Sequence, residues 1–200
     1  MIKNESRNEV YNSILSRRSI RRFQQKPIKL EILKKMVNTG RLAPSAANLQ
    51  PLEFFIVNEK NLCDQIFETI GWAGYIKPKW TPAVNERPSA YIVVLVNNEK
   101  NPWYLRDVSF ATQNIVLFAE SLNIGSCILC NINKESIRKI LNIPNNIIID
   151  SLIALGYKAE KSVVEDYSGS IEYWRDKNEV LHVPKRKIED IIHINKFQIF

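Results

Sequence analysis

Histidine is nearly absent from these 200 residues, which contain two, and cysteine is sparse and odd in number: Cys63, Cys127 and Cys130. An odd, thin set argues against a secreted disulfide framework and favours the reducing cytosol. Long hydrophobic runs are missing as well. The most apolar stretches, Ile147 to Leu155 and Ile115 to Leu122, are too short for a bilayer and carry Asp150 and Glu120. The opening MIKNESRNEV is polar, without the basic-then-apolar layout of a secretory leader. A cytoplasmic chain with no membrane attachment is the expectation. No GxGxxG and no Walker lysine motif occurs, so neither a Rossmann dinucleotide fingerprint nor a P-loop is supported. Cys127 and Cys130 form a CxxC, but a zinc or iron–sulfur site wants about four ligands. Cys63, His182 and His193 are the remaining candidates and no second CxxC exists, so no metal is expected.

What is present is a 45% hydrophobic composition, enough for one domain spanning residues 1–200, and an excess of positive charge, net +7. That excess favours anionic partners. Lysine and arginine are spread along the chain without a zinc-finger, basic-zipper or RNA-recognition signature, so nucleic acid is not expected. A phosphorylated cofactor would use the same charge.

Periodicity predicts helices over Glu9–Ser16, Lys29–Leu42, Asn61–Ile70, Leu105–Asn123 and Lys134–Leu141. Strands are predicted over Glu53–Val57, Ala90–Val96, Ile124–Leu129 and Ile147–Leu155. Leu105–Asn123 is the strongest helix: Val108, Ala111, Ile115, Ala119 and Leu122 form one apolar stripe, while Phe110 and Leu117 add a second face. A helix apolar on two faces is buried on both, in a core or against another subunit. Gly71–Arg87 reads as a loop or broken helix of lid length, and Lys161–Ser170 as a loop. The irregular alternation of strands and helices suggests an α+β or α/β layer architecture.

Two short segments carry most of the chemistry. RRSIRRF, Arg17 to Phe23, packs guanidinium groups around a serine hydroxyl, which suits a phosphate; a solvated basic turn capping the first helix is the plain alternative. APSAANLQP, Ala43 to Pro51, is a small-residue loop that lets backbone approach a flat ligand; a helix stop followed by a turn explains Pro44 and Ser45 but not Asn48 or Gln50.

These segments, with DVSFATQNIVLFAESLNIGSC, SLIALGYKAE and HVPKRKIEDI in register behind them, resemble the FMN-dependent nitroreductase family over nearly the whole chain. The resemblance implies an α+β nitroreductase-like fold: a central, mostly antiparallel sheet flanked by helices in an intertwined homodimer. FMN would lie at the subunit interface, with the tail of about 157–200 wrapping the partner. It implies FMN as cofactor, NADH or NADPH as reductant, and hydride passed through the flavin N5 to nitroaromatic or quinone-like acceptors by a ping-pong route. No catalytic side chain is then needed, which agrees with two histidines. A flavin-fragmenting, dehalogenating or azoline-oxidising relative, or a flavin-binding protein with little turnover, are the alternatives.

Carried over by motif, Arg17, Arg18 and Ser19 would hold the FMN phosphate and ribityl chain, and Arg21 the N1 and O2 edge of the ring. Pro44, Ser45, Asn48 and Gln50 would touch the ring from the partner subunit. Ile128, Leu129 and Cys130 would run along the flavin, one backbone amide facing N5; the family often places glycine next, and Asn131 stands there instead. Lys185 and Arg186 match a late basic pair that returns to the phosphate, a charged surface turn being the other reading. Phe67, Trp72, Tyr75, Trp80 and Trp103 are candidates for a substrate face, although packing is the commoner role of each.

Overall fold

Strand β2 (Ala90–Val96) organises the molecule, because all of its residues are buried. A strand apolar on both faces needs a layer on each. Tyr91, Val93 and Leu95 enter one core, and Ala90, Ile92, Val94 and Val96 enter the other. In this computed structural model, which describes residues 8–97 and 103–197, β2 sits inside a four-stranded sheet ordered β1-β2-β4-β3. Its partners are β1 (Leu52–Val57), β3 (Ile124–Leu129) and β4 (Ile148–Tyr157), and every pairing is antiparallel. The polar opening, residues 1–7, lies outside the described residues.

Helices α3 (Lys60–Phe67) and α5 (Lys134–Leu141) cover the first core with Phe23 and Trp72. Helices α2 (Leu30–Arg41) and α4 (Tyr104–Ser121) cover the second. Gly40 lets α2 and α4 approach: a Cβ there would lie 2.8 Å from the Cδ1 of Ile115. The short helix α1 (Glu9–Ser16) has no buried residue and rests along α4. The α5 start is fixed by the Asn133 side chain, which accepts from the Ser136 N–H at 3.0 Å, and its end by Asn142 at φ 52°. Asn123, at φ 55°, closes α4 in the same left-handed way.

One expectation needs correction and one is narrowed. The segment Lys161–Ser170 is not a plain loop: Ser162–Asp166 forms β5, paired in parallel with β7 (Leu181–Lys185), to which β6 (Trp174–Arg175) adds antiparallel. The partner strand lies fifteen or more residues away, so no short window of sequence reveals the pairing. The second face of α4 is uncovered within the chain, since Phe110 is 49% exposed, which excludes the core and leaves another subunit as its expected cover; Leu122 lies beyond the helix end and is also exposed. The apolar surface there, with Leu105 and the Val10, Tyr11, Ile14 and Leu15 of α1, faces outward.

Candidate functional site

The basic segment after α1 is held extended against the free edge of β3. Ser19 bridges Ser126 in parallel, and the Ile20 N–H donates to the Ser126 carbonyl at 2.9 Å. Gly125 makes this approach feasible, because a Cβ on it would come within 2.9 Å of Ile20. Anchoring Ile20 and Phe23 in the core leaves the intervening arginines at the surface of the edge. Four guanidinium groups in six residues repel one another. Arg22 is neutralised by Glu86 at 3.5 Å and Glu179 at 2.7 Å. Burial, with Arg17 beside it, holds the Arg18 guanidinium below its ordinary value, and the buried Arg18 Nε has no hydrogen-bond partner among the described residues. Arg21 lays its guanidinium on the Tyr173 ring, 4.6 Å from the centroid.

The same edge continues to Ile128–Cys130. Leu129 points into the core, while Ile128 and Cys130 are exposed and line a cleft of about 410 Å³ with Leu105, Thr112 and Ser151. Ser151 is buried, and its hydroxyl has no hydrogen-bond partner among the described residues. Asn131 is not among the residues with positive φ, so glycine is not required there. Its side chain instead packs over Gly71, whose N–H donates to the Asn131 carbonyl at 2.9 Å.

The loop Pro44–Gln50 lies elsewhere. Asp107, buried in the first turn of α4, accepts from the Ala46 N–H at 3.1 Å, and Ser45 Oγ accepts from the Gln50 N–H at 3.1 Å. Ala47, Asn48 and Gln50 all have positive φ, so the backbone is forced through a tight path that presents small side chains outward. Pro44 and Ser45 line a groove with Trp103, Arg106, Asp107 and Phe110.

The loop leads into β1, one edge of the sheet, whereas the basic segment lies against β3, the other. Three strand spacings separate the edges, about 14 Å. Arg17, Arg18, Ser19 and Arg21 are thus brought together with Ile128–Cys130, and Pro44, Ser45, Asn48 and Gln50 are not.

Lys185 ends β7 and Arg186 follows it. Register carries Lys185 opposite Asp166, four residues and about 13 Å beyond the Ser162–Leu181 pair that starts the small sheet. Arg186 donates to the carbonyl of Asp190. Among the aromatic candidates, Phe67 and Trp72 stack in the core at 5.5 Å. Trp80 lies between the Arg22 and Arg175 guanidinium groups, and only Tyr75 and Trp103 of the five are strongly exposed.

Sequence reasoning missed Asp107, Glu160 and Ser151. Asp107 left a trace, a carboxylate next to Val108 in the apolar stripe. Glu160 closes the SLIALGYKAE segment, but its partners are far away in sequence, so nothing local marks its role.

Residues 14–157 match the nitroreductase family profile. An Archaeoglobus fulgidus protein named "Putative NADH dehydrogenase/NAD(P)H nitroreductase" is 35% identical over 166 residues, covering 78% of this chain and 90% of its own. The iodotyrosine deiodinase of Thermotoga neapolitana is 24% identical over 165 residues, covering 74% and 88%. A Bacteroides fragilis nitroreductase crystallised with bound FMN superposes with a TM-score of 0.65 at 25% identity, over 82% of this chain and 95% of that one.

Proposed function

The chain belongs to the nitroreductase family, and on that premise we propose that it is an FMN-dependent oxidoreductase, using NADH or NADPH to reduce flat nitroaromatic or quinone-like acceptors in ping-pong order. One observation carries the reading: the arginine–serine segment, bridged at Ser126, and the Ile128–Cys130 stretch, whose Ile128 and Cys130 open onto a cleft, are far apart in sequence but share one edge strand of the sheet.

The residues fit the cofactor. Arg18 Nε is buried without a partner, and an anion among Arg17, Arg18 and Ser19 offsets the repulsion that their crowding creates. Ser151 presents a second buried, unpartnered group to the cleft. Bound FMN supplies hydride acceptance and release at N5. The chain's part is to bind and orient. Arg17, Arg18 and Ser19 grip the phosphate and ribityl chain; Arg21 places positive charge at the pyrimidine edge and favours the reduced, anionic ring. Ile128, Leu129 and Cys130 lie along the ring with backbone amides. Pro44, Ser45, Asn48 and Gln50 serve the partner's site in a homodimer, a reading that the separation of the sheet edges supports. Residues 162–185 fold on their own chain, so the part of the tail left to wrap a partner is 186–200, whose described residues include exposed Ile188, Ile191, Ile192, Ile194 and Phe197. Lys185 and Arg186 stand at its root, and Arg186 returns to the phosphate beside Arg17 and Ser19. Holding donor and acceptor in turn on one ring face supplies most of the rate.

Purified protein should be yellow. NADPH added without oxygen should bleach the flavin band near about 450 nm, and a nitroaromatic should restore it. Colourless protein that FMN cannot reconstitute overturns the reading. The deiodinase match supports a second reading, reductive dehalogenation; iodide released from iodotyrosine under dithionite, with no restoration by nitro compounds, selects it.

A further inference from the structure

Glu160, outside every motif segment assigned to the cofactor, holds the arginine segment in place. Its side chain is 1% exposed. Oε1 accepts from the backbone N–H of Arg21 and from that of Arg22 at 3.2 Å, while Oε2 receives the Arg175 guanidinium at 2.6 Å. The Ala159 N–H donates to the Arg22 carbonyl at 3.0 Å, so the chain around Glu160 grips the segment from both sides. Arg175 belongs to β6, and its guanidinium also lies 4.9 Å from the Trp80 centroid. One buried carboxylate therefore joins the basic segment, the small tail sheet and the 71–87 segment.

We propose that Glu160 is a positioning residue for cofactor binding: by fixing the Arg21 and Arg22 peptides it sets the direction in which Arg17, Ser19 and Arg21 face the FMN. This rests on the FMN reading above. The sign of the effect separates positioning from simple electrostatics. A carboxylate near a phosphate repels it, so charge alone makes its removal tighten binding. Positioning makes removal weaken it. Charge-assisted bonds to backbone N–H groups are the stronger kind, so loosening this segment is expected to weaken FMN binding at least about tenfold.

The test is the FMN dissociation constant, read from flavin fluorescence on apoprotein, alongside the thermal midpoint of each variant without FMN. E160A is expected to bind at least about tenfold more weakly. E160Q, which keeps an acceptor oxygen for the two N–H groups, recovers most of the affinity. R175M, which leaves the carboxylate on those groups but unpaired, lowers the thermal midpoint with little change in affinity. If E160A does not fold, E160D carries the test, since its carboxylate is one methylene short of the N–H pair and must bind weakly while keeping the charge. Unchanged or tighter binding by E160A, or by E160D in its place, overturns the proposal. Wild-type apoprotein that binds no FMN overturns the functional reading instead.

Discussion

Asp107 in the first turn of α4 accepts a hydrogen bond at 3.1 Å from the N–H of Ala46, and so ties the strained loop after α2 to the helix. Asp107 is 2% exposed, and a negative charge in that turn also suits the positive end of the helix dipole. Asp107→Ala is expected to cost about 1 kcal/mol, read by urea unfolding, because it removes the acceptor of a half-buried N–H. Asp107→Asn, which keeps an acceptor oxygen, should recover much of this. The same pair of variants should rank identically in FMN affinity if the loop touches the ring.

Gly71 and Asn131 are fitted to each other. A Cβ on Gly71 would lie 2.0 Å from Asn131 Nδ2 and 2.8 Å from its Cγ, so Gly71→Ala must push the amide aside. Overpacking of this kind costs about 1–3 kcal/mol. Asn131→Gly, which alone costs about 0.5–1 kcal/mol because its φ is not positive, should cancel most of the Gly71→Ala cost in the double variant. A denaturation cycle showing additive effects would sink the interpretation that the amide itself is the obstacle.

The central sheet was legible because its strands announce themselves locally. Ala90–Val96 is an unbroken apolar run, and the helix beginning at Tyr104 repeats every three to four residues, so predicted and observed bounds differ by a residue or two. The tail strands were not legible. Ser162–Asp166 is half polar and becomes a strand only by meeting Leu181–Lys185. The site divided in the same way. Arginines and small residues stand in contiguous motifs, whereas Glu160 acts through backbone groups 138 and 139 residues away, which no local pattern encodes.

The three thiols should separate cleanly. Cys130 is exposed, while Cys63 and Cys127 are buried. Burial, with Asp64 nearby, pushes the Cys63 thiol from 9.0 up to about 11, and burial raises Cys127 as well. One thiol per chain should react quickly with a disulfide reagent at pH 8; Cys130→Ala should remove it, and FMN should slow it. The Cys63 shift also has a stability consequence. Its value is raised on folding, so its contribution is intact below pH 9 and declines as pH rises toward 11, where an unfolded chain ionises and the folded one resists. Cys63→Ala should flatten the alkaline limb of the stability curve. An equally steep limb in that variant assigns the slope to other groups.

The outward face of α4 supplies the strictest test of a two-chain site. Phe110 is exposed in the groove that holds Pro44 and Ser45, and exposed Leu105 lines the Cys130 cleft, on a helix whose other side is core. On the proposed two-chain site, an apolar surface of this kind is the face that a second copy covers. Phe110→Asp changes no residue of the Arg17–Arg21 or Ile128–Cys130 sets, so each chain keeps one half of the proposed site. Sedimentation should show wild type as a dimer and Phe110→Asp as a monomer, with circular dichroism confirming that the monomer is folded. The monomer should then bind FMN at least about tenfold more weakly, because the Pro44–Gln50 loop cannot cross about 14 Å of its own sheet to reach the opposite edge. A folded monomer that binds FMN as tightly as wild type would place the whole site within one chain and remove the loop from it.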